Sequence, residues 1–251
     1  MGKYHFFPEE TRERLEPSAM GLVYTSLQRL ELGGEVEVHS EREETCVVVI
    51  EGELRYQYGD ERSGVAVTRD MLYLPVGETL TLSGQDAVAI RYGAPCARKT
   101  SFAHIRFEEV DADSNRHKTF GSREQGTLRE VWNYIDDSFD SSRMLAGICY
   151  GSHGGWTAWP PHEHAAKREE VYVYFNMGDG FALQCVYEDL KNPHAVALVQ
   201  NGHVVSIPSG YHPNVGCPKT GIRYVYFMVS TKAEDRVFMD LNMQKEYGDK
   251  L

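Results

Sequence analysis

Four residues in the second half of the chain have the types and spacing of a metal site. His162 and His164 stand two apart in P-P-H-E-H, and on an extended strand that spacing turns both imidazoles to one face. A carboxylate follows at Glu169 or Glu170, opening the alternating run E-E-V-Y-V-Y-F. A third histidine, His212, closes the Pro-x-Gly-x-His turn of P-S-G-Y-H-P. Three imidazoles and one carboxylate suit a divalent first-row metal: zinc, iron, manganese, nickel and cobalt all accept mixed nitrogen and oxygen donors. Glu170 is favoured over Glu169 as the acidic ligand because it shares a strand face with Tyr172 and Tyr174. Glu169 is then a supporting group, a base or a solvent-facing charge. Proline and glycine in P-S-G set a tight turn that aims His212 inward.

The elements that must hold these residues are short strands. Leu22 to Leu32, Thr45 to Ile50, Glu53 to Tyr58, Gly64 to Val67, Met71 to Leu74, Thr79 to Leu82 and Ala87 to Tyr92 alternate or run apolar between glycine-rich or charged breaks. Arg98 to Leu128 is polar, with Ser114 to Lys118 reading as loop. A second set follows in Arg129 to Ile135, Met144 to Tyr150, Glu170 to Phe175, Gly180 to Tyr187, Ala195 to Leu198, His203 to Ile207 and Arg223 to Val229. Helix is expected only in a few stretches, such as Ala233 to Met239. The pattern predicts an all-β protein, sandwich or closed barrel.

The two halves echo one another. E-E-T-C-V-V-V-I-E-G-E followed by R-D-M-L-Y-L-P-V-G, from Glu43 to Gly77, matches E-E-V-Y-V-Y-F followed by G-H-V-V-S-I-P-S-G, from Glu169 to Gly210. The metal residues are not repeated: His39 has no His-x-His partner, and no histidine follows Pro75-x-Gly77. The expected layout is an N-terminal barrel without metal ligands over 1–110 and a C-terminal barrel with the site over 111–251.

Among 251 residues, a formal charge of −11 argues against nucleic acid as partner, because phosphate binding needs a basic face. No run of about 18 apolar residues occurs, so no membrane span is expected, and the N-terminus lacks the pattern of a signal peptide. The five cysteines are scattered without a C-x-x-C pair, which fits reduced core thiols and a cytoplasmic location. Arg143, Lys167, Arg168 and Arg223 are candidate carboxylate binders, and Tyr172, Tyr174, Gln184 and Tyr187 candidate hydroxyl binders, although Gln184 and Tyr187 fall on opposite faces of a regular strand.

The motifs P-P-H-E-H and P-S-G-Y-H-P, with the two-barrel layout, resemble a bicupin, two tandem antiparallel jelly-roll barrels. More specifically, the chain resembles the 5-deoxy-glucuronate isomerase family of inositol catabolism. The likeness includes E-E-T-C-V-V-V-I-E-G, G-G-W-T-A-W-P-P-H-E-H, E-E-V-Y-V-Y-F, G-F-A-L-Q-C-V-Y-E-D and Y-V-Y-F-M-V. E-V-Y-V-Y-F-N-M resembles equally a sister family, the 4-deoxy-L-threo-5-hexosulose-uronate ketol-isomerase of pectin breakdown. The resemblance implies a metal-dependent aldose–ketose isomerase acting on a small sugar acid. Within that reading Glu169 and Tyr174 are the catalytic candidates, and Arg143, Lys167, Gln184, Tyr187 and Arg223 the substrate-binding candidates. A homo-oligomer is compatible with cupin barrels, which often associate through sheet edges. Rival readings are a cupin dioxygenase and a non-catalytic sugar-acid-binding module.

Overall fold

The computed structural model describes residues 3–60 and 62–249. Eight strands near the start are followed by eight that repeat their arrangement. The first set is β1 (Ser26–Leu32), β2 (Glu35–His39), β3 (Glu43–Glu51), β4 (Glu53–Tyr58), β5 (Arg62–Val67), β6 (Met71–Leu74), β7 (Thr79–Ser83) and β8 (Ala87–Pro95). The second is β9 (Met144–Gly151), β10 (Trp156–Thr157), β11 (Arg168–Tyr174), β12 (Ala182–Val186), β13 (Ala195–Val199), β14 (Val204–Ile207), β15 (Asn214–Gly216) and β16 (Ile222–Ser230). One large sheet runs β6-β3-β8-β1 and the other β14-β11-β16-β9; the small sheets run β2-β7-β4-β5 and β10-β15-β12-β13. All the pairings are antiparallel.

Alternation along the strands divides the interior into three cores. Val47, Val49, Leu72 and Leu74 join Leu54, Leu80 and Leu82 between the first large and small sheets. Tyr172, Tyr174, Val205 and Tyr224 join Ala182, Val186 and Val199 between the second pair. The opposite faces of the two large sheets meet each other: Cys46, Val48, Ile90 and Tyr92 pack with Val171, Val173, Val225 and Phe227. Tyr92 stacks on Phe227 with ring centroids 4.2 Å apart. Burying each such aliphatic side chain contributes about 1.5–3 kcal/mol. β11 is therefore covered on both faces, which is why it reads as a continuous buried run.

The edges of the large sheets are extended differently. Ala103–Ile105 pairs with β6, and His5–Phe6 pairs with β14, so the N-terminal segment crosses to the second set. Arg129–Ile135 and His117–Phe120 add two strands beyond β9. His117 and Lys118 thus lie on a strand, where the polar composition of the segment predicted loop.

Among the described residues the α-helix is Phe107–Ala112, within the polar stretch Arg98 to Leu128, and its first N–H, that of Phe107, donates to Asp70 Oδ1 at 2.9 Å. Ala233 to Met239, expected to be helical, is irregular instead. Its hydrogen bonds go outward: Glu234 N donates to Ser142 O, Arg236 to the carbonyls of Asp136 and Phe139, and Phe238 N to Asp137. The partners of the Glu234 and Phe238 N–H groups replace i→i−4 bonds that a helix would need, and the Arg236 side chain anchors the segment between them. No helix is long and apolar enough to cross a membrane, and the five cysteines are unpaired.

Candidate metal centre

Glu169 and Glu170 diverge because β11 alternates. Arg168, Glu170, Tyr172 and Tyr174 project to the inner face of the second set; Glu169, Val171 and Val173 project toward the first. Glu170 Oε2 lies 3.1 Å from His212 Nε2 and 3.3 Å from His164 Nε2. Ligand atoms of His162, His164 and His212 fall within 4.8 Å of one another.

Three local devices bring the histidines together. His162 sits on the short strand His162–Glu163, which pairs with Asn242–Met243, and its Nδ1 lies 3.2 Å from Pro160 O. His164 lies at the strand's exit, where the chain bends into the single turn Ala165–Lys167. Convergence therefore comes from a bend and not from one continuous extended strand. Ala165 has φ +51°, a left-handed conformation costly for a residue with a Cβ. His212 follows Gly210, whose φ of +92° and closeness to Tyr187 O, 2.7 Å from where a Cβ would stand, demand glycine. The Gly210 carbonyl lies 2.9 Å from His212 Nδ1 and accepts its proton when Nδ1 carries one, leaving Nε2 directed at the cluster.

The electrostatics are those of a donor set without enough protons to share. Burial pushes the His162 imidazole well below its usual range, and the other two histidines push it further. Burial also works against charge on His212, but Glu170 outweighs it and the net shift is upward. For Glu170, burial favours the neutral acid, while His212 and His164 hold the carboxyl below its ordinary value. His164 Nδ1 and Nε2, His212 Nε2 and Glu170 Oε2 are buried with no well-formed hydrogen bond. Orphaned buried polar atoms of this kind are rare. Here they come from three residues and converge with His162 as the nitrogen and oxygen donors that a first-row divalent ion takes, so the site fits a metal ion.

The cluster opens on a cavity of about 60 Å³ whose lining includes His162, His164, Glu170, Tyr172, Tyr226 and Arg129, together with Phe238 and Leu241. Tyr172 makes no side-chain hydrogen bond to a described residue, and burial raises its phenol far above the usual range. Tyr226 donates to Asn133 at 2.5 Å.

Most of the other residues expected at the site are elsewhere. Glu169 accepts from the backbone N–H of Val23, Tyr24 and Thr25 and from the Thr25 hydroxyl, on the far side of the sheet from the histidines, which removes it as a base there. Tyr174 and Gln184 are buried below the cavity: Tyr174 donates to Gln184 Oε1 at 2.6 Å, and Gln184 Nε2 donates to the carbonyl of His212 at 2.8 Å. They brace the ligand and do not line the cavity. Arg143 donates to the carbonyls of Pro95, Ser230 and Thr231. Lys167 pairs with Asp240 at the surface, Tyr187 donates to Gln244, and Arg223 donates to Asn176 O. None of these four lines the cavity. Arg129, absent from the sequence-based candidates, does; it opens a strand and belongs to no spaced motif, so position alone gave no signal.

A model of the KduI/IolB family matches residues 9–245. A relative from Shouchella clausii, named 5-deoxy-glucuronate isomerase, is 29% identical over 198 residues, covering 70% of this chain and 69% of that one. In fold, the chain is similar to the crystal structure of an IolB-like protein from Salmonella typhimurium LT2, with TM-score 0.77, 21% identity and coverage of 94% and 93%. It is also similar to Lactobacillus farciminis oxalate decarboxylase, with TM-score 0.62, 14% identity and coverage of 98% and 90%. With nearly its whole length matched, the chain belongs to the KduI/IolB family.

Proposed function

We propose that this chain is a metal-dependent aldose–ketose isomerase that converts 5-deoxy-D-glucuronate to 2-deoxy-5-keto-D-gluconate in myo-inositol catabolism. The observation that carries the reading is the convergence of His162, His164 and His212 on Glu170 beside a cavity, with the facing atoms of His164, His212 and Glu170 unsatisfied. It is supported by the name 5-deoxy-glucuronate isomerase borne by relatives of 25–36% identity.

The three histidines and Glu170 would hold a divalent ion, which when bound supplies Lewis acidity to the oxygens of an adjacent carbonyl and hydroxyl. The remaining work falls to the chain. Net change is small: one hydrogen leaves the carbon bearing the hydroxyl, one is gained by the former carbonyl carbon, and a hydroxyl proton changes oxygen, with no external oxidant. Tyr172, held protonated by burial, donates a hydrogen bond from its Oη to a sugar oxygen. Phe238 and Leu241 exclude water from the polarised intermediate.

The test is anaerobic conversion of 5-deoxy-glucuronate followed by NMR, with protein stripped of metal and reloaded with single ions. Metal-restored formation of the keto acid supports the reading. Conversion only of the pectin-derived hexosulose-uronate, or turnover that requires oxygen, replaces it.

A further inference from the structure

Arg129 is a buried cation that the proposed chemistry leaves unused. It is 4% exposed and lines the same cavity as His162, His164 and Glu170. Its Nη1 donates to Thr127 O at 3.1 Å and its Nη2 to Trp159 O at 2.7 Å, which fixes the plane of the guanidinium. Two of its five N–H donors are thereby used, leaving three. Its charge lies 5.3 Å from the centroid of Phe120. Among the described residues no aspartate or glutamate forms an ion pair with it, while the one carboxylate lining the cavity, Glu170, is engaged by His164 and His212.

A buried charge without a counter-charge costs several kcal/mol, and folds retain one where a ligand completes it. The other groups on this wall, Phe120, Val131, Tyr224, Tyr226 and Phe238, supply no negative charge. What is missing is an anion with two coplanar oxygens, for which a rigid guanidinium fork is the matching partner.

We infer that Arg129 is the carboxylate-binding residue of the cavity and sets its preference for sugar acids over neutral sugars. The inference rests on the reading of the cavity as a sugar-acid site. It gives the substrate a direction: the carboxylate lies at the Arg129 wall and the reacting carbonyl and hydroxyl at the histidine wall. Because Arg129 also ties the Thr127 and Trp159 segments together, the test must separate a charge preference from a loss of shape.

The measurement is calorimetric binding of D-glucuronate and of its uncharged isostere D-glucuronamide to the metal-loaded full-length protein, as wild type, Arg129→Gln and Arg129→Lys. One charge-assisted pair is expected to make wild type prefer the acid by about 10- to 100-fold. R129Q should bring the acid-to-amide ratio near one while leaving amide affinity and metal stoichiometry unchanged, and R129K should keep an intermediate ratio. An unchanged ratio in R129Q overturns the assignment, since the acid would then be held by the metal centre alone. So does an equal loss for both ligands, which marks a structural tie, and so does a wild type that binds neither. An Arg129-dependent preference in a protein that isomerises no sugar acid sustains the subsite and defeats the isomerase reading.

Discussion

Glu169 and Glu170 are consecutive residues whose carboxylates serve opposite sides of one sheet. Glu170 meets two histidines at 3.1 and 3.3 Å, and Glu169 gathers the backbone N–H groups of Val23, Tyr24 and Thr25. The first set of strands returns the same bond. Glu44 accepts from the N–H of Ser142, Arg143 and Met144, at the start of β9, as Glu169 does at the start of β1. The registers agree: Thr45 pairs with Leu74 as Glu170 pairs with Ile207, so Glu44 is the counterpart of Glu169 and Thr45 of Glu170.

Adjacent substitutions should therefore fail in different ways. Glu170→Gln is expected to lose stoichiometric metal and at least 100-fold in turnover while folding normally. Glu169→Ala should retain metal but lose about 2–4 kcal/mol of stability, because several donors at the seam lose their acceptor. Elemental analysis beside urea unfolding checks both, and metal loss in E169A with intact E170Q loading would reverse the assignment.

Gly210→Ala should weaken the centre without touching a ligand. The added Cβ would stand 2.7 Å from Tyr187 O in a left-handed backbone, so the turn must shift and carry His212 with it. A drop in metal affinity of about 10-fold or more is expected by chelator competition.

The pH dependence has two opposing parts. In metal-free protein, His212 has a raised pKa, so its contribution to stability is full below its ordinary 6.5 and is lost as pH rises through the folded value. Glu170 has a lowered pKa, so its contribution is present above 4.5 and is lost as pH falls through its folded value. The pair should stabilise the metal-free protein most between those limits. Metal affinity should instead rise with pH across His212 titration, since the ion displaces a proton. Metal titrations at pH 5.5 and 8 check the rise in affinity, and thermal unfolding of stripped wild type beside stripped His212→Gln isolates the pair from His162, whose lowered pKa acts with the opposite sign.

The segment over the cavity should govern access. A volume of about 60 Å³ is far below the roughly 300 Å³ at which ligand pockets begin. Phe238 and Leu241 must withdraw for a sugar acid to enter. Lys167 grips Asp240 at the surface, and Arg168 donates to the Asp240 carbonyl at 2.7 Å. Asp240→Ala removes the surface tie, and metal release into excess chelator should quicken by about 3- to 10-fold. An unchanged rate would mean that the ion escapes by another route.

Much of this was legible in the chain. P-P-H-E-H, E-E-V-Y-V-Y and P-S-G-Y-H announce their donors by residue type and spacing, and alternation separates Glu170 from Glu169. The bend after Glu163 that turns His164 inward and the pairing that brings His212 to Glu170 belong to the fold. The polar residues were less legible. Arg143, Lys167, Tyr187 and Arg223 have the right chemistry, but their partners are distant carbonyls and charges that no spacing encodes. Arg129 matters through the absence of a counter-charge, which is a property of the folded wall alone. Ala233 to Met239 has helical composition, yet the turn at Asp136 and Asp137 offered its backbone better partners.

The repeat also leaves a trace where the first set has no ligands. Thr79 follows Pro75-x-Gly77 by the same interval as His212 follows Pro208-x-Gly210. His39 lies 2.8 Å from its hydroxyl, and Ser40 donates to Thr45 at 2.7 Å. Threonine hydroxyls thus occupy the places of Glu170 and His212, one bonded to Ser40 and the other to His39. The first set acts as a buttress for the second: its large sheet backs β11, and its strand entry gives Glu169 fixed donors. Damage to the buttress would register on the far face of β11 as a loosened floor beneath Glu170 and the three histidines.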